Sequence, residues 1–170
     1  ELLNNNLNSC VDYGIHYFHT AVSHIDGVIN FNPSLTQHGH HHPDSGSIFG
    51  LNPELTEGKV YGNPYQVKSI RLETFCEKLN VTPDFLHIDV EGAEYKVLEN
   101  VGKHKPKCVW SEVNTFEHYA TGSTREKFNA LMESLGYDRI YDSQPYGSLP
   151  GPHDSLFKLK DFETTPYKWK

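Results

Sequence analysis

The chain has 170 residues, 36% of them hydrophobic and 22% charged, and its 15 basic and 22 acidic side chains leave a formal charge of −7. That length suits one domain with a real apolar core, residues 1–170, and the composition is that of neither a disordered nor a membrane-embedded chain. The acidic balance argues against nucleic-acid binding through phosphates, no apolar run is long enough to span a bilayer, and three widely spaced cysteines without a C-x-x-C (Cys10, Cys76, Cys108) argue against a disulfide framework and for a reducing, cytoplasmic setting.

In chain order, Leu2, Leu3 and Leu7 are spaced like the end of a helix, and the first residues have no signal-peptide pattern. The chain therefore reads as if it begins partway through a fold. Ile15 to Val22 predicts a strand, Asp26-Gly27 a turn, and Val28 to Phe31 the return strand of a hairpin. Residues 32–64, rich in His, Pro and Gly, predict one long loop. Val67 to Leu72 predicts a strand and Glu73 to Leu79 a short helix.

Phe85 to Val90 is apolar with little alternation, the pattern of a central strand covered on both faces. Ala93, Val97, Leu98 and Val101 then follow at helical spacing. Cys108-Val109-Trp110 predicts the next strand, leading to Glu112. Ser123 to Glu126 matches a capping box, Phe128, Leu131, Met132 and Leu135 form one apolar helix face, and Gly136 ends that helix. Tyr137 to Tyr141 and Ser155 to Leu159 predict the last two strands, separated by turn-rich residues. Alternating strands and helices imply an α/β fold with a mostly parallel sheet, and the final strand, reached without a helix, implies an antiparallel C-terminal edge.

Ligands of open α/β sheets bind outside the carboxyl ends of the strands. Asp89, Glu91 and Glu112 fall there. If the strand runs on, Asp89 and Glu91 face one side, with Asp89 the candidate base. The alternatives are structural: Asp89 caps the following helix, and Glu91 and Glu94 complement its dipole. Gly92 either lets a ligand approach the backbone or is a plain turn glycine. His87 either shares the side of Asp89 or is a buried, hydrogen-bonded histidine. Asn114 and His118, after the next strand, either line an acceptor pocket or belong to a solvated loop. His38, His40, His41, His42 and Asp44 invite a metal reading, but neighbouring loop histidines lack the spacing of a preformed site, so no metal site is assigned.

Four pieces of the chain resemble the FkbM family of S-adenosylmethionine-dependent methyltransferases. They are Thr20-Ala21-Val22-Ser23 with Asp26-Gly27, Arg71-Leu72-Glu73-Thr74-Phe75, Ile88-Asp89-Val90-Glu91-Gly92-Ala93-Glu94, and Val109-Trp110-Ser111-Glu112. The resemblance implies a Rossmann-like class I methyltransferase sheet, and transfer of a methyl group from S-adenosylmethionine to a small-molecule hydroxyl, on a sugar or natural product. It implies Asp89, Glu91 and Glu112 as catalytic residues and Asp89 and Gly92 as cofactor contacts. His87, Asn114, His118, Ser45 and Ser47 become acceptor contacts. The family's Gly-rich strand and turn is not found, which gives the expectation of an N-terminally truncated domain. The alternative expectation is a non-catalytic binding or assembly module, a homo-oligomer joined through an exposed sheet edge.

Overall fold

The computed structural model describes residues 14–35, 46–51, 60–113, 124–143 and 153–163. The expectations placed on residues 1–13 (the N-terminal helix end and Cys10), on the histidine cluster with Asp44, and on Ser123 lie outside the described residues. Among those described, nine strands and three helices follow one another: β1 (Ala21–Ser23), β2 (Gly27–Phe31), β3 (Ser34–Leu35), β4 (Val60–Tyr61), β5 (Tyr65–Arg71), α1 (Leu72–Leu79), β6 (Phe85–Ile88), α2 (Glu94–Leu98), β7 (Cys108–Val113), α3 (Arg125–Ser134), β8 (Tyr137–Asp142) and β9 (His153–Leu159). None of the helices is long and apolar enough to cross a membrane.

The chain folds as mixed α/β, but the strands do not form one mostly parallel sheet. They form three small sheets, in the orders β1-β5-β2, β3-β4 and β6-β7-β9-β8. Among the described residues only β1/β5 and β6/β7 pair in parallel. The C-terminal strand is antiparallel as expected, but it is not an edge: β9 lies between β7 and β8. Its alternating residues His153, Ser155 and Phe157 are all buried, while β8 carries Asp138, Arg139 and Asp142 and is mostly exposed. Charged residues on an outer strand discourage further pairing, which explains why β8 takes the outside place.

The expected hairpin is also corrected. Residues 15–19 form no strand, and β1 and β2 do not pair with each other, because β5 lies between them. Asp26 explains this. Its carboxylate accepts hydrogen bonds from the Arg71 backbone N–H and Nε, both at 2.9 Å, and from Thr74 Oγ1, so the turn is tied to the end of β5 and the start of α1. Those Arg71 bonds hold the Asp26 carboxyl down at about 2. The predicted loop 32–64 contains the short β3/β4 pair and a bridge between Asn32 and Ser47.

Helices α2 and α3 follow their apolar spacing. Val97, Leu98, Val101, Phe128 and Met132 are buried, and they pack with Ile88, Val109, Val113 and Phe157 in one cluster. Helix α3 starts one residue later than the predicted box: Thr124 is the N-cap and accepts from the Lys127 N–H. Gly136 ends it at φ +91°, a conformation glycine adopts without strain. The core covers one face of the four-stranded sheet. In β7 the buried residues Val109, Ser111 and Val113 alternate with the half-buried Cys108, Trp110 and Glu112. The second face is only partly covered, and at β6 it is exposed: Phe85 is 56% exposed. Trp110 stacks there on Tyr141 with ring centroids 5.8 Å apart.

Candidate functional site

Strand β6 stops at Ile88, and the backbone turns before α2 begins at Glu94. Glu91 and Gly92 sit in that turn with φ of +52° and +94°. The expected strand geometry, with Asp89 and Glu91 on one face, therefore fails, because the period-2 rule needs extended backbone through residue 91. The turn still brings both residues to the same cleft, a space of about 420 Å³. Ala21, Phe31, Gly46 and Ile48 line it together with Asp89 and Glu91. A side chain at position 46 would collide with the Phe31 ring, so this lining requires glycine there.

The two readings of Asp89 now separate. Ala93 is the N-cap of α2, and no side chain caps that helix. Asp89 is exposed, and among the described residues no hydrogen bond or ion pair engages its carboxylate. The bracing role belongs to Glu94, which is only 3% exposed. Its Oε1 accepts the N–H groups of Val90 at 3.0 Å and Gly92 at 3.2 Å. Glu94 is thus a buried strut under the turn rather than a solvent-facing acid at a helix start. Burial pushes its carboxyl up to about 7, against the pull of those backbone bonds.

Glu112 lies within β7 rather than after it, directly across from Asp154 of β9. Burial, together with the charges of Glu91, Glu94, Asp89 and Asp154, pushes its carboxyl up to about 8. Glu112 is therefore mostly protonated at neutral pH, a donor as well as an acceptor. The raised value makes the protonated carboxyl the favoured form of the folded protein. Its contribution to stability is full below the unfolded value of 4.5 and is lost as pH rises through about 8. Glu112→Gln, which stays neutral, is expected to melt close to the parent at pH 5 and about 5 °C higher at pH 9 in a thermal unfolding scan.

Ser47 is not exposed toward an acceptor. It is buried, and its hydroxyl donates to the Glu91 carbonyl oxygen at 2.7 Å. His87 is exposed, so the buried-histidine alternative is corrected; it pairs with Trp110 on the open sheet face. Gly92 has the positive φ that a turn glycine supplies. Asn114, His118 and Ser45 lie outside the described residues. Among the described residues no group of three or more His, Cys, Asp or Glu side chains is placed to hold a metal ion.

Elsewhere a polar network ties α3 to the last two strands. Arg125 bonds both Asp142 and His153, and Ser155 donates its hydroxyl to Asp142. Burial raises the Asp142 carboxyl, but the Ser155 bond and the Arg125 and Arg139 charges outweigh it and hold the group below its usual value. This network, the Glu94 strut and the Ser47 contact carry no motif of their own in the sequence. The one local signal is the place of Glu94, two residues after the turn glycine.

A family model described as the methyltransferase FkbM domain matches residues 1–139. No curated protein and no solved structure gives a significant match to the chain.

Proposed function

The chain belongs to the FkbM methyltransferase family, and from that premise we propose that it transfers a methyl group from S-adenosylmethionine to a hydroxyl of a sugar or another small natural product. The observation that carries the reading is Asp89: an exposed carboxylate, unengaged by described residues, at the carboxyl end of β6 and on the cleft that Phe31 and Ile48 also line. The donor set suits the cofactor. Carboxylates at Asp89 and Glu91 complement ribose hydroxyls and a positive sulfonium, and the apolar wall suits a planar base.

When bound, S-adenosylmethionine supplies an electrophilic methyl group. Asp89 accepts the proton of the attacking hydroxyl, and Glu91 orients hydroxyls in the same cleft. Glu112, protonated, adds no further negative charge beside Asp89 and Glu91. Glu94 keeps the turn in shape from below. The test is transfer of isotope-labelled methyl from S-adenosylmethionine to a panel of sugars and polyhydroxylated small molecules. The reading expects label on an oxygen of at least one acceptor, and absence of label from every acceptor contradicts it.

One observation favours a second reading. Among the described residues β6 ends its sheet, and Phe85 on that strand is 56% exposed. An open strand edge with an apolar residue beside it suits pairing with a second copy of the chain, as in a non-catalytic assembly module. A solution mass equal to one chain contradicts that second reading.

A further inference from the structure

Glu91 is a glutamate at φ +52°, a left-handed conformation that is uncommon for residues other than glycine, asparagine and aspartate. Asn80, also at φ +52°, is an asparagine closing α1, where the conformation is common. The turn from β6 to α2 needs an outside hold at Glu91, and one is present. The Ser47 hydroxyl donates to the Glu91 carbonyl oxygen at 2.7 Å from a segment 44 residues earlier in the chain.

Ser47 is itself fixed. It is 1% exposed. Its backbone exchanges two hydrogen bonds with Asn32, at 2.8 and 3.1 Å, and the Asn32 amide donates to the carbonyl oxygens of Ser47 at 3.1 Å and Phe49 at 3.2 Å. The Phe49 N–H donates to the Ser47 hydroxyl at 3.1 Å. Tyr61 lies near the group without a hydrogen bond to it: burial pushes its phenol up to about 12, the nearby Ser47 hydroxyl opposes that shift, and the Glu91 charge adds to it. Asn32 follows β2 directly, so this clamp joins the end of β2 to the turn that carries the site.

We infer that Ser47 is a positioning residue. Its hydroxyl holds Glu91 in the left-handed state and so keeps the Asp89 and Glu91 carboxylates on one cleft. The inference rests on the reading of that cleft as the site for cofactor and acceptor. It also makes a chemical demand: a hydroxyl must stand at position 47, and the demand disappears when residue 91 takes positive φ unaided, as glycine does.

The test uses the full chain with Ser47→Ala and Ser47→Thr, each also carrying Glu91→Gly in a second set. In isothermal titration with S-adenosylmethionine, Ser47→Ala is expected to weaken binding about tenfold and Ser47→Thr to restore most of it. In thermal unfolding, Ser47→Ala is expected to lower Tm by about 3 °C with Glu91 present and by under about 1 °C in the Glu91→Gly set. Equal Tm losses in the two sets overturn the inference. So does a Ser47→Ala protein that binds as tightly as the parent. If the parent itself binds no S-adenosylmethionine, the functional reading fails, and the two-set comparison of Tm decides the Ser47 hold by itself.

Discussion

Asp89→Asn is expected to lower the rate of methyl transfer by a factor of about 10²–10⁴, with a much smaller change in the KM for S-adenosylmethionine. Asparagine keeps the shape of the side chain and its acceptor oxygen, so contacts with a bound ligand largely survive. It loses only the ability to take a proton. The structure makes the separation clean: Asp89 is exposed at the end of β6 and caps no helix, so its replacement removes no described hydrogen bond or ion pair. A melting temperature equal to the parent's should accompany the loss of rate. If kcat stays within about twofold of the parent, Asp89 is not the base.

Glu94→Ala is expected to destabilise the protein by about 2–4 kcal/mol at pH 5.5, read as the shift of a urea unfolding curve. The alanine leaves the Val90 and Gly92 N–H groups without their acceptor and opens space beneath the turn. The pH dependence distinguishes this from simple loss of packing. The Glu94 carboxyl is raised from 4.5 to about 7, so the folded state prefers it protonated. That contribution is full below 4.5 and fades as pH climbs through about 7, where a charge must be kept buried. Glu94→Gln retains an acceptor oxygen and carries no charge. It is expected to match the parent at pH 5 and exceed it in stability at pH 8.5. A Glu94→Ala loss of less than about 1 kcal/mol at pH 5.5 contradicts the strut role.

Local patterns carried most of the elements. The apolar face of α3 was legible because Phe128, Leu131, Met132 and Leu135 repeat at helical spacing, and the helix buries that face. The strand ending near Asp89 was legible from its apolar run, and with it the strand-end carboxylate. What local patterns do not contain is pairing. Asp26-Gly27 has the chemistry of a tight turn, yet the partner of Asp26 is Arg71, and that contact sets β5 between the two strands that flank the turn. The interior place of β9 depends on its register with β7, where Glu112 meets Asp154 across 42 residues of chain. No period in either strand announces that meeting.

The same limit explains the site. Strand-end position and the family resemblance both point to Asp89 and Glu91, although the face-sharing argument assumes extended backbone that Glu91 does not have. The resemblance implies Ser47 as an acceptor contact, and the structure gives its hydroxyl to the Glu91 carbonyl instead. The role of Glu94 required knowing that the start of α2 is buried, which its charge argued against. In each case the residue was visible and its partner was not, because the partner arrives through tertiary contact.

The proposed activity requires S-adenosylmethionine to bind in the cleft beside Asp89. Isothermal titration of the full chain with S-adenosylmethionine tests it most directly. Saturable binding of one molecule per chain is expected, lost or sharply weakened in Asp89→Ala. No heat of binding by the parent chain, or equal affinity in parent and Asp89→Ala, would contradict it.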